Sequence, residues 1–301
     1  MRWYFATDAA GGMGQTGELA RLAVLSARAV GGLEPVLLYH GARTAFTAWM
    51  EQHGVRVHDT SPAFIAAIEQ AQAAGTYKAH SIGHWLRIAI PEVEHERDFV
   101  LYTDCDVIFL RGFDWGRIRP KVFAAAPEFK PDAWNYFNAG VMVLNVPAMR
   151  ATFPAFEAQV KSRIQSGEHF RYDDQIALNE AYRGLWDRLD PRFNWKPYWD
   201  FNAQAVILHF HGPKPGAVAA IAAGRWHDRD PTAILYEKMV NACGRHYLAW
   251  CRSLGDSLQN TSIPGAIEFA SLASALTRYR REIPETADSS FMNVKMFNEI
   301  G

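Results

Sequence analysis

Thiols are scarce in this chain: of 301 residues only Cys105, Cys243 and Cys251 are cysteines. Their odd number and the absence of Cys-x-x-Cys spacing argue against a disulfide framework or a thiolate metal site, and leave core or incidental thiols. An excess of one charge is also missing, since 31 Lys and Arg stand against 32 Asp and Glu. No overall basic field therefore draws in nucleic acid, and any anionic ligand has to be met locally. Nowhere do 18 apolar residues follow one another, so hydropathy gives no membrane-spanning helix. The apolar run at the start is too short for a signal peptide, and the expected location is the cytoplasm. Lys and Arg are absent from residues 3–20, so the glycines there do not form a Gly-Lys-Ser/Thr phosphate loop. What is present is apolar bulk, 49% hydrophobic against 21% charged, enough for one large core or two smaller ones.

Strand-like and helix-like patterns alternate from the beginning. Trp3 to Thr7 reads as a strand, followed by a flexible loop or turn holding Gly11, Gly12, Gly14 and Gly17, and then a helix over Glu18 to Val30. Strands at Pro35 to His40 and Val55 to His58 alternate with helices at Arg43 to Gln52 and Pro62 to Ala74. Such alternation predicts an open, mostly parallel sheet with ligands beyond the carboxyl ends of its strands, where Asp8 falls. His80 to Ile90 reads as a helix ended by Pro91. Strands follow at Lys121 to Ala126 and Ala139 to Val146, and a helix at Pro147 to Gln165. From Pro231 the pattern is helical, with Arg278, Arg280 and Arg281 clustered late. That cluster reads as a solvated face or as a contact with a membrane surface or anionic acceptor.

The chemistry concentrates in a few places. Phe99 to Leu110 is an apolar run interrupted by Asp104 and Asp106. Buried carboxylates need a cation or donors, and residues i and i+2 of an extended chain project to one side. The pair thus suits Mg²⁺ or Mn²⁺, or else a solvated turn at a strand end. Ala205 to Pro215 gives a strand ending in His209, His211, Gly212 and Lys214. Imidazole suits Mn²⁺, the lysine suits phosphate, and strand spacing alone does not choose between the two histidines. Asp173 and Asp174 open a helix, where capping accounts for either without catalysis. Arg87 reads locally as an ion-pair partner of Glu94 or Glu96.

Taken in order, Arg87 with Pro91 behind it, Leu101-Tyr-Thr-Asp-Cys-Asp106, Phe137-Asn-Ala-Gly-Val-Met-Val-Leu-Asn145, Asp173-Asp-Gln-Ile-Ala-Leu-Asn179 and Ile207-Leu-His-Phe-His-Gly-Pro-Lys-Pro215 resemble glycosyltransferase family 8. That family includes glycogenin and bacterial lipopolysaccharide galactosyltransferases, and the resemblance covers residues 1–216. It implies an α/β GT-A (Rossmann-like) mixed sheet flanked by helices, over 1–230, with a helical C-terminal extension over 231–301. It also implies a retaining, metal-dependent transfer of a hexose from a UDP-sugar to a glycan, lipid-linked or protein acceptor, with Mn²⁺ as the ion and Mg²⁺ as the alternative. By motif, Asp104, Asp106 and His209 would hold the metal and Lys214 the diphosphate. Asp8 would lie near uridine. Arg87, Asn138, Ala139, Gly140 and Gly212 would line the donor site, and Asp174 and Gln175 would flank the anomeric carbon. The chain departs from the family in two places: Gly212 to Lys214 is one residue short of the spacing in many members, and Gly216 stands where Trp is common. Competing classes are a sugar nucleotidyltransferase and a noncatalytic sugar-nucleotide-binding protein.

Overall fold

The computed structural model describes residues 1–76, 82–166 and 173–258. Its first half follows the alternation read from the sequence: β1 (Arg2–Asp8), α1 (Ala9–Met13), α2 (Gln15–Val30), β2 (Glu34–His40), α3 (Ala45–Gln52), β3 (Arg56–Asp59), α4 (Ile65–Ala73). Short helices α5 (Ile82–Trp85) and α6 (Ile90–Val93) flank a 3₁₀ turn at Leu86–Ala89 and lead into β4 (Phe99–Thr103), β5 (Val107–Phe109), β6 (Phe123–Pro127) and β7 (Phe137–Asn145). The remainder is α7 (Val146–Ser166), α8 (Asp174–Ala181), β8 (Asp187–Arg188), β9 (Ile207–His209), α9 (Pro215–Ala222) and α10 (Pro231–Leu258).

Seven strands form one sheet in the order β3-β2-β1-β4-β7-β6-β8. The β3 to β4 half is parallel, β7 runs antiparallel to both β4 and β6, and β8 pairs parallel to β6. The sheet is therefore mixed. Its inner strands β1, β4, β7 and β6 are buried on both faces, which is why they read as continuous apolar runs, while the edge strands β3 and β8 are partly exposed. Alternation along β1 sends Tyr4 and Ala6 into the core under α4, α7 and α8, and sends Trp3 and Phe5 into the core under α2 and α3. A third core joins Leu19 and Leu22 of α2 to Leu208 of β9, Val218 of α9 and the apolar side of α10.

Three expectations are corrected. The glycine-rich stretch after β1 is two helices meeting at an extended Gly14, not a loop, and Gly12 and Gly17 serve helix packing. A Cβ at Gly17 would lie 2.0 Å from the Gly12 carbonyl oxygen, and one at Gly12 would lie 2.7 Å from the Phe46 ring. Pro91 does not stop a helix but sits in the first turn of α6, where its missing N–H has no partner to lose. The apolar run 99–110 is two strands: β4 stays in the main sheet, and β5 leaves it to pair antiparallel with β9. The Arg278, Arg280 and Arg281 cluster lies outside the described residues, as do 259–301 of the expected C-terminal extension. Among the described residues no helix is long and apolar enough to cross a membrane.

Candidate active site

The exchange of β5 from one sheet to the other builds the site. Past the end of β4, Asp104 N donates to Gly140 O (2.8 Å), so the first carboxylate is still tied to β7. Two residues later Phe210 N donates to Asp106 O (2.8 Å), and the next residue, Val107, lies opposite His209. Asp104, Asp106 and His209 thus converge, with His209 Nε2 at 3.3 Å from Asp106 Oδ1 and 3.7 Å from Asp104 Oδ2. Cys105 points away and donates to Ala6 O.

These three residues offer one ligand atom each within 4.8 Å of one another, and among the described residues they form a group suited to a metal. Two carboxylate oxygens and one imidazole nitrogen match Mn²⁺ or Mg²⁺. Gly140 supports the fit. A Cβ there would sit 2.2 Å from His209 Cε1 and 2.8 Å from Asp104 Oδ2, so only glycine leaves open the space these side chains share. His211 is not part of the group: its Nε2 lies 2.9 Å from Glu128 Oε1 and its Nδ1 2.8 Å from the Tyr198 hydroxyl. Strand spacing left the two histidines equivalent, and the pairing with β5 separates them.

A buried amide chain fixes the tautomer of His209. Asn138 Oδ1 accepts from Gly140 N (3.0 Å), and Asn138 Nδ2 donates to Glu128 Oε2 (2.7 Å). Asn194 Nδ2 then donates to Asn138 Oδ1 (2.8 Å), which turns Asn194 Oδ1 toward His209 Nδ1 at 2.8 Å. An acceptor there leaves the proton on Nδ1 and the lone pair of Nε2 facing the two aspartates, as a ligating histidine requires. Burial lowers the His209 pKa against the pull of Asp106, which keeps the ring neutral.

Arg87 is buried, not a surface residue. Its Nη2 lies 2.9 Å from Asp104 Oδ1, its Nε pairs with Asp174, and its guanidinium covers the Tyr102 ring at 4.6 Å. It also donates to the Ala139 carbonyl. The partners expected from local sequence go elsewhere, since Glu94 and Glu96 both pair with Arg2. Burial works to lower the Arg87 pKa, but Asp104 and then Asp174 outweigh it and the guanidinium stays charged. Lys214 pairs with Asp106 and donates to Phe210 O (2.9 Å). Burial alone would raise the Asp106 pKa, yet Lys214 pulls it well below the carboxylate range.

At the start of α8 the two aspartates divide their roles. Asp173 is the cap, accepting from Ile176 N (2.8 Å). Asp174 is buried against Arg87, and its Oδ2 has no hydrogen bond of regular geometry beyond that ion pair. Burial pushes both carboxyls up to about 6, each also raised by a neighbouring carboxylate, with Arg87 opposing. Gln175 accepts from Ala139 N (2.8 Å) and donates to Glu128, so it holds β7 as well as lining the cleft.

The cleft, about 300 Å³, is lined by Arg87, Asp104, Asp106, Asn138, Asp174, Gln175, His209 and Lys214 together. Asp8 instead caps α1, accepting from Gly11 N (2.8 Å), and accepts from Gly83 N (3.3 Å). Gly212, at φ +82°, makes the turn after β9, and its missing side chain faces Met239 of α10. Sequence reasoning missed His84, Thr16 and Leu19 in the cleft wall, along with Glu128, Asn194 and the fully buried Lys196. Glu128 had a signal, an acid directly after the apolar Phe123–Pro127 strand, the same kind that exposed Asp104. The others had none.

Residues 121–215 match the sequence model of glycosyl transferase family 8. No curated protein matches the chain in sequence. Among solved structures, the galactosyltransferase LgtC in complex with donor and acceptor sugar analogs superposes with a TM-score of 0.55 at 19% identity, over 94% of this chain and all of that one. An active-site mutant of LgtC gives 0.53 at 18% identity, over 80% of this chain and 95% of that one. The bifunctional glycosyltransferase WbbM gives 0.53 at 14%, over 91% of this chain and 52% of that one. The GT-A fold implied by the resemblance is the fold observed, and the family 8 resemblance is borne out over the matched segment.

Proposed function

We propose that this chain is a metal-dependent, retaining glycosyltransferase that moves a hexose from a UDP-sugar to an acceptor hydroxyl. The observation that carries the reading is the convergence of Asp104, Asp106 and His209 on one point, with Lys214 on Asp106 and the Arg87–Asp174 pair in the same cleft. Asp104, Asp106 and His209 would hold Mn²⁺ or Mg²⁺. When bound, that ion supplies Lewis-acid stabilisation of the leaving diphosphate. Lys214 adds a fixed positive charge for the same oxygens. Arg87 keeps Asp104 and Asp174 anionic and oriented. Asp174 then provides negative charge beside an anomeric carbon that becomes cationic as the glycosidic bond breaks. With a pKa raised only to about 6, it is ionised for the most part at neutral pH. Same-face attack by the acceptor, its proton passing to the departing phosphate, gives retention without asking Asp174 to form a bond. The reading extends to a cytoplasmic enzyme, supported by three described cysteines that are all free and buried.

The test is release of UDP from UDP-sugars in the presence of Mn²⁺, without acceptor, by wild type and Asp106→Asn. The variant removes a ligand charge at nearly constant size, and loss of metal-dependent turnover with an unchanged circular dichroism spectrum is expected. Near wild-type turnover at saturating donor and metal would sink the assignment. Time-resolved NMR of the first-formed sugar reads the stereochemistry: an α donor should give the α product before mutarotation. Release of pyrophosphate from a nucleoside triphosphate would instead identify a nucleotidyltransferase, and donor binding with no UDP release a noncatalytic binder.

A further inference from the structure

A second cavity, of about 840 Å³, opens beside the cleft and shares Asp173 and Gln175 with it. Its size lies within the usual range for small-molecule sites, about 300–1000 Å³. Its walls include three partly buried aromatic rings, Trp134, Tyr136 and Trp186. Trp134 and Trp186 lie with centroids 6.1 Å apart at 32°. Rings that present an apolar face with a polar edge suit the CH faces and hydroxyls of a sugar.

The charge of the lining decides the rest. Three carboxylates border the cavity, and each is committed within the protein. Glu128 takes His211, Asn138 and Gln175; Asp173 caps α8; Glu180 faces Arg163 at 3.6 Å. The two arginines of the lining, Arg183 and Arg188, are exposed and have no carboxylate partner among the described residues. The Arg188 guanidinium is stacked over Trp134, 4.9 Å from the ring centroid, which orients its planar fork without neutralising it. Among the described residues the two arginines are therefore the charges of the lining with no ion-pair partner, and that of Arg188 lies against the aromatic platform.

We infer that this cavity is the acceptor subsite and that it takes a saccharide carrying an anionic substituent, a phosphate or a carboxylate, stacked on Trp134 and Trp186 and held by Arg183 and Arg188. The inference rests on the glycosyltransferase reading for the word acceptor, and on the cavity alone for the ligand class. Sharing Asp173 and Gln175 with the cleft places an acceptor hydroxyl next to the residues assigned to the anomeric carbon.

The test is direct binding to the full chain, by saturation-transfer NMR and tryptophan fluorescence, of methyl galactoside, its 6-phosphate, methyl galacturonide and inorganic phosphate. In wild type the phosphorylated or carboxylated sugar should bind at least about tenfold more tightly than the neutral one, the scale of a charge-assisted hydrogen bond. The preferred arm tells phosphate from carboxylate. Arg183→Ala with Arg188→Ala should erase that ratio, and the double Lys variant should restore most of it because it restores the charge. A ratio is insensitive to partial unfolding, which lowers all affinities together. Equal binding of charged and neutral sugars, or a ratio unchanged in the double Ala variant, would overturn the inference. Inorganic phosphate binding as tightly as the sugar phosphate would overturn the saccharide part. UDP release with no charge preference would reject this inference and leave the glycosyltransferase reading, while charge-selective binding with no UDP release would reject that reading, and the acceptor role with it, and keep the cavity as a site for an anionic saccharide.

Discussion

Gly140→Ala tests the proposed metal site with a single methyl group. The residue lies in β7 with ordinary strand neighbours, so alanine is acceptable to the backbone, and the perturbation is steric. The added Cβ would lie 2.2 Å from His209 Cε1 and 2.8 Å from both Asp104 Oδ2 and Asn138 Oδ1, whereas ordinary contact begins at 3.4 Å. His209 must therefore retreat by about 1 Å, twice the tolerance of roughly 0.5 Å within which a functional constellation works. Retreat also strains its bond to Asn194 Oδ1, the contact that sets its tautomer. Loss of an outer partner alone costs a metal site about 10–100-fold in affinity, and displacing the ligand itself should reach at least the upper figure. The stability cost of one extra methyl in a packed region is about 1–3 kcal/mol, which leaves the domain folded. Electron paramagnetic resonance of free Mn²⁺ during titration measures the affinity directly, with calorimetric melting as the fold control. An affinity within about threefold of wild type, in a folded variant, would show that these three side chains do not share one ion.

His209→Ala should weaken Mn²⁺-dependent UDP binding far more than His211→Ala, read by isothermal titration, because only His209 faces the two aspartates; a larger loss at His211 would reassign the ligand. A separate expectation concerns Lys196, which is fully buried, donates to Pro127 O and has its pKa lowered by burial to about 7 against the pull of Glu128. The unfolded chain, with a lysine pKa near ~10.4, binds more protons between about pH 7 and 10, so wild-type stability should rise with pH across that window by roughly 3–5 kcal/mol relative to Lys196→Met, with its penalty complete below about pH 7. Parallel stability–pH curves for the two proteins, from denaturant titrations, would show that Lys196 keeps an ordinary pKa.

The parts legible in the sequence are those set by near neighbours. β1 and β2 announce themselves as apolar runs, and Asp173 as a helix cap, because each signal spans a few residues. The break between β4 and β5 is invisible in that way, since the run from Phe99 to Leu110 stays apolar on both sides of Asp104 and Asp106. What breaks it is a partner about 100 residues away, β9. Asn194 was hidden by contacts beyond its near neighbours as well, being turned by Asn138, 56 residues earlier in the chain, and brought to His209 by the bond from Trp195 N to Ile207 O. Lys196 gave no sign because a lysine reads as exposed by default. The glycines at 11 to 17 misled in the opposite sense, since glycine suggests a loop by propensity while here close packing between α1 and α2 demands it.

The electrostatics of the cleft explain why its four aspartates are not interchangeable. All four are buried enough for desolvation to favour the neutral acid, and what differs is the cation each meets. Asp106 meets Lys214 and Asp104 meets Arg87, so both are held below the ordinary carboxylate range and stay charged through physiological pH. Asp173 and Asp174 have Arg87, already engaged with Asp104, as their cation, so burial raises both to about 6, helped by Asp174 acting on Asp173 and by Asp104 acting on Asp174. One end of the cleft is therefore a permanent anion pair, as a resident divalent cation requires. The other end holds carboxylates poised close to neutrality, which respond to positive charge arriving beside them. A cationic anomeric centre would draw Asp174 fully into its ionised form, so its stabilisation grows as the transition state forms. The division follows from where Arg87 stands, bridging Asp104 and Asp174, and from Lys214 reaching only Asp106.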